Sequence, residues 1–182
     1  MKLFFKRLGW CAAALILCAG ISLWFLRVFG FRHPAFAMLV NWMCMTWMVV
    51  AGQLIDFALP SGYYRIHAFE RSGRVYERVG IRRFKRLMLR EPLSRLNPAL
   101  RLSHDRTFSA LRQLDHEMRK AETSHVYILI FMLSLTGYAL LRQWLDAASW
   151  LLAFNLLLNG YPIILQRYNR ARLQVFIERS MR

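Results

Sequence analysis

The chain alternates long uncharged apolar runs with segments crowded by arginine. No charged residue falls in 8–26, 34–55, 126–141 or 147–166. A helix crossing a bilayer core needs about 17–25 apolar residues. The first, second and fourth runs suffice as they stand, and the third completes a span by continuing upstream through 121–125. The pattern predicts an all-α integral membrane protein, one domain over 1–182, with about four transmembrane helices at residues 8–27, 34–57, 124–141 and 146–166.

Residues 60–123 break the apolar pattern. "PSGYY" at 60–64 ends the second helix with turn-forming residues. Within 69–91, Ile81, Phe84, Leu87 and Met88 recur at helical spacing among Arg82, Arg83, Lys85, Arg86 and Arg90, which predicts a basic amphipathic helix lying in the membrane interface. Pro92 and Pro98 then end it. A second stripe starts near Asp105 and runs through Phe108, Leu111, Leu114, Met118 and Ala121. Continued by four from Met118 it reaches Glu122, and by three more His125. Residues three apart share a helix face, so the stripe becomes E-x-x-H where the helix enters the bilayer.

The basic residues set an expected orientation. Lys2, Lys6 and Arg7 precede the first span, fifteen Lys/Arg lie between Pro60 and His125, and five Arg follow Leu165. Only Arg27 and Arg32, and then Arg142, fall on the other two connections. The positive-inside rule places both termini and segment 60–123 in the cytoplasm of a multi-pass protein of the cell (inner) membrane. The first apolar run is long for a cleaved signal and no small-x-small site follows it, so it is expected to stay as a helix.

Composition narrows the partners. The chain is 57% hydrophobic yet carries a formal charge of +16. Motifs for nucleic acid are absent, and the basic residues border membrane helices, so anionic lipid accounts for most of the charge. Cys11, Cys18 and Cys44 lie inside predicted spans without metal-like spacing and read as packing residues. One E-x-x-H supplies too few ligands for a di-iron bundle, His67, His104 and His116 show no ligand spacing, and no metal site is expected. Gly-rich phosphate loops, G-x-S-x-G and His-x4-Asp boxes are also missing.

The connection between the third and fourth spans is short, so they are expected to be antiparallel neighbours. His125 lies nineteen residues before Trp144 and Gln166 twenty-two after it. At about 1.5 Å per residue the two ends differ in depth by only about 5 Å. Glu122 and His125 are therefore expected level with Gln166, Asn169 and Arg170, which themselves share a face. Pro162 removes one backbone hydrogen bond just before this cluster, with Asn159 a candidate partner for the freed group. A structural reading competes: Glu122 pairs with Arg167 or Arg170 and staples the helices.

"RKAETSH" (119–125) and "NGYPIILQRYNRARL" (159–173), with "FERSGRVYERVGIRRFKRL" (69–87), resemble the glycosyl-4,4'-diaponeurosporenoate acyltransferase family. The matching positions include Glu70, Gly73, Tyr76, Gly80, Ile81, Arg82 and Lys85, R-x-A-E-x-x-H ending in His125, and QRYNR from Gln166 to Arg170. Phe84 stands where the family carries Trp. The resemblance implies esterification of a sugar hydroxyl on a glycosylated carotenoid-like lipid by a fatty acyl chain.

Such a transfer needs a base and donors for the developing oxyanion. His125 is the expected base, with Glu122 orienting its other nitrogen and Asn169 and Arg170 donating to the oxyanion. Arg167 is expected to hold donor phosphates or carboxylates. Gln166, Tyr168, Glu70, Arg82 and Lys85 complete the expected substrate-binding set, with Glu70 an alternative acid/base that would form a carboxylate pair if it folds back to Glu122. No cofactor is expected: an acyl-CoA or acyl-carrier donor serves as a substrate, and a lipidic acceptor enters from the bilayer. Two other readings stay open, an acyltransferase acting on a different glycolipid or lipid, and a non-catalytic membrane interaction protein with a polar helix–helix lock.

Overall fold

The computed structural model describes residues 2–90 and 107–180, and all its regular structure there is helical. The breaker segment at 91–100, the start of the second stripe near Asp105, and His104 lie outside the described residues. Four helical stretches are long and apolar enough to cross a membrane. The described chain forms two compact units: one runs to Phe57 and resumes over Ser124–Gly160, and the other comprises Ala58–Thr123 and the chain from Tyr161.

In the first unit, α1 (Lys2–Phe29) and α2 (Pro34–Ala51) form a hairpin. Gly30 turns the chain at φ +81°, and His33 caps α2 by accepting from the Ala35 amide. Helix two was expected to reach residue 57 but stops at Ala51; the amide of Gly52 closes it on the Met48 carbonyl. Helix α5 (Phe108–Leu141) contributes its distal part to this unit and is followed by α6 (Leu145–Asn155) after a turn in which Gln143 adopts φ +57°. The core joins Phe36, Val40 and Met48 of α2 to Ile128 and Met132 of α5 and to Leu151 of α6. Alanines 37, 139, 147 and 148 are buried among them, and such small side chains let membrane helices approach closely. Trp10, Ile16, Leu17 and Trp24 of α1 point outward, as a lipid-facing surface requires. Cys11 and Cys18 are buried and Cys44 is half-buried, all three with free thiols. The Arg32 guanidinium and Asp146 carboxylate pair at 2.9 Å, tying the α1–α2 turn to the α5–α6 turn.

A π-helical segment, Leu156–Gly160, follows α6 and leads into α7 (Tyr161–Ser180). Pro162 has no N–H to donate to the carbonyl of residue 158, and the widened π-helical turn lies immediately before it. The last helix also runs past the expected end at residue 166, through the whole basic cluster.

In the second unit, α7 is the scaffold. The expected amphipathic helix of 69–91 is two pieces, α3 (Arg74–Arg78) and α4 (Ile81–Met88), each preceded by a glycine in the left-handed conformation, Gly73 at φ +70° and Gly80 at φ +79°. The apolar side of α4 does not lie open to an interface. Ile81 is fully buried, and with Phe84 and Met88 it packs against Tyr161, Ile164, Leu165 and Tyr168 of α7. Leu87 is the exception, 48% exposed. The stripe on α5 behaves as expected: Leu111, Leu114 and Met118 pack on Leu173 and Ile177 of α7.

Candidate active site

Glu122 and His125, expected in one cluster with Gln166, Asn169 and Arg170, belong instead to two polar networks, one in each unit. The boundary between units falls between Thr123 and Ser124, inside the E-x-x-H motif.

In the second unit, Glu122 is fully buried and accepts from both guanidinium groups of the QRYNR motif. Arg170 Nη1 donates to Oε2 at 2.8 Å, and Arg167 Nη1 donates to Oε1 at 3.3 Å. Glu70, also buried, receives Arg167 Nε at 2.9 Å and Nη2 at 3.1 Å, and the Tyr76 hydroxyl and the His67 amide donate to it as well. Asp115 receives Arg170 Nε at 3.1 Å and Arg119 Nε at 2.7 Å. The result is a chain of alternating charge, Glu70–Arg167–Glu122–Arg170–Asp115–Arg119. Glu70 and Glu122 thus do not form a carboxylate pair, because Arg167 lies between them and relieves the repulsion two buried carboxylates would feel.

The same two arginines hold the backbone of 63–65. Arg167 donates to the carbonyls of Tyr63 (2.9 Å) and Arg65 (3.2 Å), and Arg170 to that of Tyr64 (2.6 Å). With a bond from Nε to the Glu70–Tyr76 pair, all five N–H groups of Arg167 have acceptors. The donors expected to meet a phosphate are engaged inside the protein. The rings of Tyr63 and Tyr64 each face a guanidinium, Arg167 and Arg170 respectively, at 5.4 Å.

Titration follows from this packing. Burial alone would raise the Glu70 carboxyl, but hydrogen bonds from Tyr76, the His67 amide and Arg167 outweigh it and hold the group below its usual range. Burial, reinforced by the bond to Glu70, pushes Tyr76 up to about 12, and burial followed by the Glu122 charge does the same to Tyr63.

Lys85 reaches across from α4 to α7 and donates to Asn169 Oδ1 at 2.7 Å, which leaves the Asn169 amide nitrogen available as a donor. Burial, and then the nearby Arg172, hold the Lys85 ammonium below its usual pKa. Tyr168 is buried; its hydroxyl donates to Glu77 Oε1 and accepts from Arg172. Arg82 is exposed and pairs with Glu77 at 2.7 Å, and Gln166 is buried.

In the first unit, the half-buried His125 belongs to a relay of amides. Asn41 Nδ2 donates to the Ala37 carbonyl at 2.9 Å and Asn155 Nδ2 to that of Leu129 at 3.1 Å, which fixes both amide orientations. Their oxygens accept from Asn159 Nδ2 at 2.7 and 2.9 Å. Asn159 Oδ1 therefore faces His125 Nδ1 at 3.2 Å, and that contact is a hydrogen bond only if Nδ1 carries the proton. The relay selects the Nδ1–H tautomer and leaves the lone pair on Nε2. Asn159 takes the orienting role expected of Glu122, whose oxygens are taken up by arginine; it does not serve as a partner for the backbone group freed by Pro162.

Sequence reasoning overlooked Asn41, Asn155, Asp115, Tyr63 and Tyr64. The first two carried a signal, since isolated amides inside uncharged membrane runs need internal partners, and Asn155 lies four residues before Asn159. Asp115 and the tyrosines carried none, because solvent-exposed stripes and turns contain such residues routinely. Among the described residues no group of three or more His, Cys, Asp or Glu side chains gathers as a metal site.

Residues 60–179 match the family model described as glycosyl-4,4'-diaponeurosporenoate acyltransferase. Neither the curated proteins nor the solved structures provide a match.

Proposed function

The chain belongs to the glycosyl-4,4'-diaponeurosporenoate acyltransferase family, and from that premise we propose that it esterifies a hydroxyl of a glycosylated, carotenoid-like lipid with a fatty acyl chain. The observation that carries this reading beyond family membership is the His125–Asn159 relay. General-base catalysis needs an imidazole held in one tautomer with its other nitrogen bare, and the relay leaves Nε2 in that state. Nε2 accepts the proton of the acceptor hydroxyl as its oxygen attacks the acyl carbonyl. The thiolate of a thioester donor then departs and is protonated as the ester forms. The imidazole returns to its starting state, so no cofactor is required and the donor is a co-substrate.

The Glu/Arg chain supports this chemistry as scaffold. Glu122 and Arg170 are so fully engaged with each other, with Asp115 and with the backbone of 63–65 that their assigned role is to hold α5, α7 and the 60–71 segment in register. The setting proposed is the cell membrane, with both termini and segment 60–123 cytoplasmic. The Lys/Arg distribution supports that orientation, as does the Arg32–Asp146 pair, which joins the two turns expected on the opposite side.

The test is lipid analysis of membranes containing wild type or His125→Gln at matched protein levels, with glycosylated carotenoid and other glycolipid acceptors supplied. Glutamine retains an amide donor towards Asn159 but has no basic nitrogen. A new acyl ester that appears with wild type and not with the variant is the expected result and identifies the acceptor. Identical lipid profiles would overturn the reading.

A further inference from the structure

The second unit contains an open cleft of about 770 Å³, a volume typical of small-molecule sites. Three pieces of chain line it: the segment 64–71, one face of α5, and one face of α7. Its charge is unbalanced. Five arginines (65, 71, 112, 119 and 170) face two carboxylates, Asp115 and Glu178. Asp115 is shared by Arg119 and Arg170, and Glu178 pairs with Arg71 at 3.0 Å. Arg65 and Arg112 have no carboxylate partner among the described residues; Arg112 lies over the Phe108 ring at 4.5 Å.

Part of the lining is apolar. Leu173 and Ile177 line the cleft and are backed by Leu111 and Met118, and Ile66 adds to that surface. The rim that carries Arg65 is held in place, because the carbonyls of 63 and 65 are captured by the half-buried Arg167 and that of 64 by the buried Arg170. A cationic rim on an anchored backbone beside an aliphatic wall is preorganised for a ligand with a phosphate at one end and hydrocarbon at the other.

We propose that this cleft binds the phosphate-bearing end of the amphiphilic acyl donor, with Arg65 and Arg112 as the phosphate contacts and Leu173 and Ile177 against the first part of the acyl chain. The donor phosphate belongs either to a nucleotide thioester or to a phospholipid headgroup. The site differs from the α4 surface of Arg82 and Lys85, where those side chains already bond Glu77 and Asn169. It rests on the proposed function only in calling its ligand the donor.

Binding to the full-length protein in nanodiscs tests it without turnover. Palmitoyl-CoA is titrated into neutral nanodiscs, and in a second arm phosphatidylglycerol capture from detergent is measured. The variant is Arg65→Gln with Arg112→Gln, both exposed and outside the buried chain. The charge-matched control is Lys6→Gln with Arg7→Gln on α1. Loss of two charge-assisted hydrogen bonds predicts binding about tenfold weaker or more for the cleft variant and unchanged binding for the control. Weakening confined to palmitoyl-CoA assigns a nucleotide thioester, and weakening confined to phosphatidylglycerol assigns a phospholipid. Weakening of both supports the shared phosphate chemistry. Unchanged binding in both arms, or an equal loss in the control, overturns the proposal. Donor binding that persists while His125→Gln makes no difference to the lipids would sink the proposed function and leave the cleft standing.

Discussion

Gly73 lies against the ring of Tyr168: a Cβ added at position 73 would sit 2.8 Å from Tyr168 Cε2. The glycine also holds φ +70°, which L side chains rarely adopt. Gly73→Ala therefore adds a steric clash with a buried ring to a backbone cost of about 1–2 kcal/mol. Gly80, at φ +79° with open space around it, is the comparison, since Gly80→Ala carries the backbone cost alone. Thermal unfolding in detergent is expected to show a clearly larger loss for Gly73→Ala. Equal losses would mean that Tyr168 moves aside freely.

Arg170 and Glu122 are 2% and 0% exposed, respectively, and meet at 2.8 Å. Such a pair contributes little net stability, but removal of one member leaves the other charge stranded at about 3–5 kcal/mol. Arg170→Gln is expected to lower the yield of folded protein sharply. Glu122→Gln has a smaller effect, because Arg170 keeps Asp115 and Arg167 keeps Glu70. Size-exclusion profiles of both variants from matched membranes provide the comparison, and a monodisperse, heat-stable Arg170→Gln would contradict the scaffold role.

Asn159 separates a positioning role from a purely structural one. Asn159→Ala removes the acceptor that selects the His125 tautomer, and ester formation per folded protein should fall by about 10²-fold or more. Asn159→Asp keeps an acceptor for Nδ1 but loses both donors towards Asn41 and Asn155. If the relay serves catalysis, the aspartate variant recovers a substantial share of turnover. If it is only a lock between helices, the aspartate variant is at least as damaged as the alanine one.

Glu70 gives the second unit a defined response to acid. Its folded pKa is depressed, so its contribution is complete above the ordinary carboxyl value of 4.5 and is lost as pH falls through the lower folded value. The stability gap between wild type and Glu70→Gln is therefore constant at neutral pH and narrows below about pH 4.5. A gap that stays constant into strong acid would show that Arg167 does not depend on the ionised carboxylate. Tyr76, raised to about 12, acts in the opposite sense: its contribution is present below the ordinary 10.0 and fades as pH rises beyond it.

Local pattern accounts for much of this molecule. Uncharged apolar runs in lipid satisfy their backbone as helices, so three of the four long apolar helices follow from composition alone and the other from its continuation upstream through 121–125. The three-and-four spacing from Leu111 to Met118 specified which face of α5 is covered, and the face is covered as read. That QRYNR and E-x-x-H would take polar partners was also visible, because ionisable residues at the edge of a span need them.

Partner choice was not visible, and the reason is range. Arg167 meets Glu70 across 97 positions of chain, and Arg170 meets Asp115 across 55. Nothing in the spacing of a motif says which of several carboxylates an arginine will reach. The sequence by itself determined the helices, their apolar faces and the residues that need polar company. Only the tertiary structure decided that Glu122 serves the arginines while Asn159 serves His125, because hydrogen-bond geometry is settled by atoms that packing brings together from distant parts of the chain.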